Sequence, residues 1–237
     1  MTTSSYFFQG INFKKLLSIA LVMGFAAAAI NAMADINMNR SRSYDWLEFV
    51  KNLSLYASCS LMGLIFAEKT SLEVFLLKRR GSRRIKGLML LLFGVIPGVI
   101  VGLTYHHLFF QYRFSLRVPL RIRAIHTHYD SFILSLRAGV TEELVFRFLL
   151  LTAFFYILRR VFLPLAGQGF KTARWIPFLF SLLGSSLLFG LVHGAYGFMI
   201  AFLAGLVLGM VYFRAGLEAA ILAHFAADLV FFNLTYL

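Results

Sequence analysis

The sequence predicts an all-α protein, a polytopic transmembrane helix bundle, and three observations lead to this fold class. Hydrophobic residues make up 60% of the 237 residues and charged residues only 14%, whereas a soluble domain carries about 25% charged residues. The apolar residues fall in runs of about 20, the length that crosses a bilayer as a helix. The excess of 23 Lys and Arg over 10 Asp and Glu lies mainly between these runs. A soluble enzyme and a nucleic-acid-binding module are therefore excluded.

The apolar runs predict about seven spans, each close to the bilayer thickness. In chain order they are residues 16–34, 47–67, 88–110, 139–158, 175–193, 196–213 and 216–234. The first ends in Ala32-Met33-Ala34, which is also typical of a signal-peptidase site, so cleavage after it is an alternative to a retained helix. The third carries Gly94, Gly98 and Gly102 together with Pro97, a pattern typical of close helix packing with a kink.

The spans divide the chain into three predicted regions. Residues 1–110 hold about three transmembrane helices. Residues 111–138 form an interfacial amphipathic segment, because Arg113, Arg117 and Arg121 recur at every fourth position among apolar residues and so form one basic helix face. Residues 139–237 form a helical core that holds the residues on which a function would depend.

The distribution of basic residues predicts the orientation. With the amino terminus inside, 14 of the 23 Lys and Arg lie on the inner side, seven lie on the outer side and two lie within spans. The positive-inside rule therefore favours a cytoplasmic amino terminus and an outer carboxyl terminus. We expect an integral multipass protein, most simply of a bacterial inner membrane.

Ionisable residues inside apolar helices are functional candidates, because burying a charge in a bilayer costs several kcal/mol. The fourth span contains Glu142, Glu143 and Arg147. Glu143 and Arg147 are four residues apart and can pair along one helix face, whereas Glu142 is offset by about 100° and points elsewhere. One carboxylate thus holds the arginine while the other is free for chemistry. A purely structural ion-pair cluster between helices is the alternative.

Three further ionisable residues belong to the same predicted site. His193 ends the fifth span, and His224 and Asp228 lie four apart on the seventh, so that the carboxylate can orient the imidazole. Because helices four and five run in opposite directions, Glu142 near the start of one and His193 near the end of the other share a leaflet. Together these residues are predicted to line one cavity, which opens to the outer side in the predicted orientation.

At these residues the chain resembles the family of CAAX-processing endopeptidases and bacteriocin-processing proteins (Abi or CPBP), which are glutamate-dependent intramembrane proteases. Its signature is Glu-Glu-x-x-x-Arg, then Phe-x-x-x-His, then His-x-x-x-Asn or Asp. All three motifs occur here in order, each in a hydrophobic segment. They comprise Glu142, Glu143 and Arg147, then Phe189 and His193, then His224 and Asp228. The resemblance covers about residues 135–237.

The resemblance implies a peptide hydrolase without an obligatory catalytic metal. By motif position, Glu142 and His193 would activate a water molecule, and His224 and Asp228 would stabilise the oxyanion. Glu143 and Arg147, with Phe189, would hold the site together. An ionised Asp228 would repel an oxyanion, so it acts either protonated or by orienting His224. The single cysteine excludes a multi-cysteine zinc site, but Glu142, His193 and His224 could together bind zinc.

The leading hypothesis is therefore an endopeptidase that cleaves a membrane-associated or carboxy-terminal signal segment of a partner protein. The partners expected are this protein or peptide substrate and the lipid bilayer, with no nucleic acid. The alternative is a non-proteolytic scaffold or bacteriocin-immunity protein. A small proton-coupled transporter is a weaker alternative, because the sequence has no inverted repeat halves and its buried polar groups cluster in the last hundred residues or so.

Overall fold

The computed structural model describes residues 12–38, 45–70, 72, 83–111, 125–165 and 175–237, and these residues are almost entirely helical. The predicted all-α helix bundle is confirmed. The helices in chain order are α1 Phe13–Met38, α2 Trp46–Thr70, α3 Arg83–Leu90, α4 Ile96–Gln111, α5 His128–Glu143, α6 Thr152–Leu165, α7 Trp175–Val192, α8 Gly194–Ala215 and α9 Leu217–Tyr236. The arginines of the predicted interfacial segment, at 113, 117 and 121, lie outside the described residues.

Six helices in the described ranges are long and apolar enough to cross a membrane. They are Phe13–Met38, Trp46–Thr70, Ile85–Leu108, Trp175–Val192, Gly197–Ala215 and Leu217–Tyr236. Large apolar side chains face outward along them, for example Val22, which is 70% exposed. Such a surface is stable in lipid and not in water, so the chain is an integral multipass membrane protein.

The fourth predicted span, residues 139–158, is not among these six helices. It lies in a helix that continues from α5 into α6 through the wider, π-helical turns of Leu144–Leu151. This segment carries three charged residues, Glu142, Glu143 and Arg147, more than any other predicted span. The helix also passes residue 138 without a break, since α5 begins at His128.

The start of α5 is fixed by a capping box. The Thr127 hydroxyl accepts from the Asp130 main-chain N–H, and the Asp130 carboxylate accepts from the N–H groups of His126 and Thr127 and from the Asn37 side chain. Burial alone would raise the pKa of Asp130, but these hydrogen bonds outweigh it and hold that pKa below its usual value. They stabilise the beginning of the helix that carries Glu142.

Glycines set the closest approach between α4 and α9. A Cβ added at Gly98 would lie 2.2 Å from the carbonyl oxygen of Ala223, and one at Gly102 would lie 2.5 Å from that of Ala227. No side chain fits at either position. The facing residues of α9 are alanines that are almost fully buried, so both helices use small residues to pack at short range.

A second π-helical segment, Leu91–Val95, joins α3 to α4 and ends two residues before Pro97. Proline has no N–H to donate to the residue four positions earlier, and its ring displaces that carbonyl, so the helix must widen or bend there. In α8, Gly205 and Gly209 approach Ser186 and Leu182 of α7. The predicted glycines of α4 and the glycines of α8 therefore both pack against helices of the same chain.

The first helix continues past the predicted cleavage motif to Met38. Ala32 and Ala34 of that motif are buried, at 8% and 0% exposed. Beyond the motif, Asp35 forms an ion pair with Arg137 of α5 at 3.0 Å, and Asn37 donates to Asp130 at 2.7 Å. This helix is an integral part of the bundle.

Candidate active site

Three helical segments bring the predicted site residues together. Glu142 and Glu143 are the last two residues of α5, and Arg147 lies in the π-helical turns that follow. Phe189 lies near the end of α7, and His193 lies in the turn between α7 and α8. His224 and Asp228 lie one turn apart on α9.

Glu143 is the central residue of this cluster. Its side chain is fully buried, and its Oε1 accepts a hydrogen bond from His224 Nδ1 at 2.8 Å. Its Oε2 lies 3.3 Å from Arg147 Nε. The spacing of four residues predicted the contact with Arg147, but the residue that orients His224 is Glu143, because Asp228 is farther away.

Glu142 points to a different place, between two imidazole rings. Its Oε2 lies 3.8 Å from Nε2 of His193 and 3.8 Å from Nε2 of His224. This oxygen is buried, and no protein group in the described ranges hydrogen-bonds to it. A separation of 3.8 Å is too long for a direct hydrogen bond, so the three groups surround a space in which one small polar molecule can contact them.

The turn between α7 and α8 fixes His193. Its main-chain N–H donates to Gly190 O at 3.1 Å, and Gly194 follows with φ of 73°, a conformation that favours glycine. Nδ1 of His193 lies 2.7 Å from the carbonyl oxygen of Phe189. A carbonyl oxygen can only accept, so Nδ1 carries the hydrogen and Nε2 of the neutral ring presents a lone pair towards Glu142.

His224 has carboxylates on both sides of its ring. Besides Glu143 at Nδ1, Asp228 Oδ2 lies 3.7 Å from Nε2, on the side that also faces Glu142. His224 is buried, with its side chain 6% exposed, whereas the side chains of Glu142 and His193 are 33% and 37% exposed. The site therefore has a closed side formed by His224 and Glu143 and an open side formed by Glu142 and His193.

Phe189 packs against the cationic and imidazole groups of the site. The Arg147 guanidinium carbon lies 4.3 Å from the centre of its ring, which is a cation–π contact. The rings of His193 and His224 lie 4.6 and 5.8 Å from it, both edge to face. One aromatic side chain thus separates Arg147 from the open side of the site.

Arg147 is fully buried, and its hydrogen-bonding capacity is not used by the protein. In the described part of the chain, no group hydrogen-bonds to Nε, Nη1 or Nη2. The Nε–Glu143 contact is an ion pair without hydrogen-bond alignment. The carbonyl oxygen of Arg147 accepts from the hydroxyl of Thr152, five residues later, at 3.1 Å. Five residues is also the spacing of main-chain hydrogen bonds in a π-helix.

Sequence reasoning missed two tyrosines from the amino-terminal half. Tyr56 of α2 lies near the Thr141 side chain and Glu142. Tyr105 of α4 lies in the neighbourhood of Asp228 and Arg147, and its hydroxyl donates to Ile200 O of α8. The only sequence signal for either is a polar hydroxyl within an apolar run, which is also a common structural feature.

The zinc alternative depends on Glu142, His193 and His224. Within the described residues, no group of three or more His, Cys, Asp or Glu side chains is arranged to hold a metal ion. Whether the reaction requires a metal is a separate question, which a chelation experiment answers.

A comparison with protein families found one match. Residues 124–230 match the family model described as type II CAAX prenyl endopeptidase Rce1-like. Over these residues the chain is similar to that family. The match confirms the resemblance carried by the three motifs, and it supports a protease in general terms. No curated protein and no solved structure shows a significant match to the chain.

The matched residues include every residue of the predicted site, from Glu142 to Asp228. Tyr56 and Tyr105 precede them. The side chains around the site thus come from the matched residues and from helices outside them.

Proposed function

We propose that the protein is an intramembrane endopeptidase in which Glu142 and His193 activate a water molecule. The observation that carries the proposal is the position of Glu142 Oε2, 3.8 Å from the Nε2 atoms of both His193 and His224. A water molecule between them can donate one hydrogen to the carboxylate and the other to the lone pair of His193. Both acceptors then increase the nucleophilicity of its oxygen.

In the proposed reaction, the water oxygen attacks the scissile carbonyl carbon while one water proton moves to Glu142. The carbonyl π electrons move to the oxygen, giving a tetrahedral oxyanion. Collapse of this intermediate re-forms the carbonyl and breaks the C–N bond. The proton held by Glu142 then moves to the leaving amine, so that each cleavage consumes one water molecule and leaves the enzyme unchanged.

His224 is proposed to stabilise the oxyanion. Because Nδ1 donates to Glu143, a second proton on Nε2 makes the ring a cationic donor on the side that faces Glu142. Asp228, 3.7 Å from Nε2, assists as a protonated donor or by fixing the ring. On the buried side of the site, Glu143 compensates the positive charge of His224, and Arg147 compensates that of Glu143. Fixed charges in such a water-excluded place act strongly on charge that develops during a reaction.

The proposed substrate is a membrane-associated or carboxy-terminal signal segment of a partner protein. Two observations support this. The open side of the site is formed by Glu142 and His193, and the residues next to His193 are apolar and exposed, with Leu191 57% and Val192 66% exposed. An apolar segment can therefore approach the site within the bilayer.

We further propose a cytoplasmic amino terminus, a site open towards the outer leaflet and, as the simplest location, a bacterial inner membrane. The support is the distribution of Lys and Arg between the spans. Single cysteines introduced into a variant that lacks Cys59 test the orientation with a membrane-impermeant thiol reagent. Labelling from the cytoplasmic side before Gly139 would contradict the proposed orientation.

Purified protein in lipid nanodiscs tests the proposed activity with two probes. One is a farnesylated fluorogenic peptide with a CAAX terminus, and the other is a reporter with a carboxy-terminal transmembrane tail. We expect cleavage of at least one probe, and a loss of about 100-fold or more in Glu142→Gln and His193→Ala, since general acid–base catalysis contributes at least this much.

Glu218→Gln and His107→Ala are matched controls. Glu218 lies in the first turn of α9, and His107 is exposed on α4, so both changes leave the site intact. Equal cleavage by the wild type and Glu142→Gln would contradict the proposed mechanism. If no membrane segment is cleaved while a cellular phenotype survives Glu142→Ala, the scaffold or immunity alternative is correct.

A further inference from the structure

Tyr105 of α4 binds the main chain of α8. Its hydroxyl donates to the carbonyl oxygen of Ile200 at 2.7 Å. Its ring packs edge to face against Phe231 of α9, with centres 6.2 Å apart. This one side chain therefore links α4 to the helix that follows His193 and to the helix that carries Asp228.

The ring contact places Tyr105 within one helical turn of Asp228, a site residue of α9. Phe231 follows Asp228 by three residues, so the two side chains lie on the same side of the helix. The hydroxyl contact is on α8, whose first residue directly follows His193. Tyr105 therefore contacts both the helix that begins at the site and the helix that carries His224 and Asp228.

The close packing of α4 against α9 fixes the position of Tyr105 relative to the site residues of α9. Gly98 and Gly102 place the α4 backbone against the carbonyls of Ala223 and Ala227, the residues directly before His224 and Asp228. Tyr105 follows Gly102 by three residues, so it lies on the same face of α4. A shift of α4 would move the tyrosine and the two site residues of α9 relative to each other.

We propose that Tyr105 is a positioning residue of the site, which fixes α8 and α9 against α4 and thereby holds His224 and Asp228 in the arrangement that the reaction requires. The inference rests on the proposed function where activity is concerned. Its structural part, the effect of the Tyr105 hydroxyl on His224, stands independently and is measured independently. Tyr105 contacts no reacting atom in this proposal.

Tyr105→Phe tests the role because it removes only the hydroxyl. The matched control is Tyr212→Phe, which removes another buried hydroxyl, bonded to Thr152 at 2.8 Å. We expect Tyr105→Phe to lower kcat about 10-fold with a smaller change in KM, and to displace the pH profile of kcat. Combined with Asp228→Asn, its effect should be non-additive by about 2-fold or more, as is typical of residues in one network.

Nitrogen-15 NMR of histidine-labelled protein in nanodiscs gives the readout that does not depend on activity. The His224 resonances are assigned with His224→Gln. We expect them to shift in Tyr105→Phe and to stay unchanged in Tyr212→Phe. Unchanged His224 resonances in Tyr105→Phe would overturn the proposal whatever the activity. Shifted resonances in a protein that cleaves neither probe would support the positioning role and contradict only the proposed protease.

Discussion

Replacing Glu143 by Gln should destabilise the protein far more than replacing Arg147 by Met. Glutamine retains an oxygen that accepts from His224 Nδ1, so the change mainly removes the charge that lies 3.3 Å from Arg147 Nε. Both side chains are fully buried, and leaving one member of a buried ion pair uncompensated costs about 3–5 kcal/mol. For a chain of this size, that corresponds to a fall in Tm of about 6–20 °C.

Arg147→Met removes the other member of the same ion pair. It removes a buried cation whose nitrogens are not hydrogen-bonded by described protein groups, and the thioether can pack on Phe189. Glu143 keeps its hydrogen bond from His224 at 2.8 Å. We expect a loss of only about 1 kcal/mol, because the high cost of breaking a buried pair comes from the uncompensated charge that remains, and here the remaining carboxylate is still compensated by His224.

Thermal unfolding of these variants can be followed with a residue of the chain itself. Its single cysteine, Cys59, is buried, so a thiol-reactive fluorophore reports unfolding on heating. The control is Glu48→Gln, which breaks an exposed ion pair with Lys51 at 3.7 Å and should change the stability by less than about 1 kcal/mol. The double variant Glu143→Gln/Arg147→Met should recover most of the loss. An Arg147→Met variant as unstable as Glu143→Gln would refute the reasoning.

Four other predictions concern the site and the amino-terminal helix. Asp228→Asn should keep activity if the residue is a hydrogen-bond donor, and abolished cleavage would contradict that role. Cleavage should survive thorough chelation, with no stoichiometric metal detected by mass spectrometry; activity that is lost and restored by zinc would establish the metal alternative. The pKa of Asp130 is lower in the folded protein than its ordinary 3.8, so its contribution to stability is fully present above that value and decreases as the pH falls below it; tryptophan fluorescence should show a smaller loss of stability between about pH 5 and pH 3 in Asp130→Asn than in the wild type. Intact mass spectrometry should find residues 1–34 retained, because α1 is buried against the bundle on both sides of Ala34; a mature chain that begins at Asp35 would show cleavage.

The part of the site that sequence could predict is the part governed by helical spacing. Four residues separate Glu143 from Arg147 and His224 from Asp228, and the structure places the members of each pair 3.3 and 3.7 Å apart. The offset of Glu142 from its neighbour also follows from helix geometry. These relations are local, so they depend little on how the helices pack.

The parts that sequence could not predict depend on contacts between helices. The bond from His224 to Glu143 requires α5 and α9 to lie at one particular distance and rotation, and no spacing along the chain contains that information. The same holds for Tyr105, which reaches α8 and α9 only because Gly102 brings α4 close to Ala227. The π-helical turns have no sequence pattern of their own, and their length shifts Arg147 relative to an ordinary helix.

These contacts determine how much of the candidate site lies within the residues that match the Rce1-like family model. Residues 124–230 contain every motif residue, yet the backbone position of α9 at Ala223 and Ala227 is fixed by glycines of α4, which lies outside them. Tyr56 of α2 lies near Thr141, directly before Glu142. In the proposed mechanism the motif residues supply the chemistry, while the amino-terminal helices determine the distances between them. A general base and an oxyanion donor lose most of their effect when displaced by about 1 Å, so the amino-terminal half belongs to the active site in the physical sense although it carries no motif.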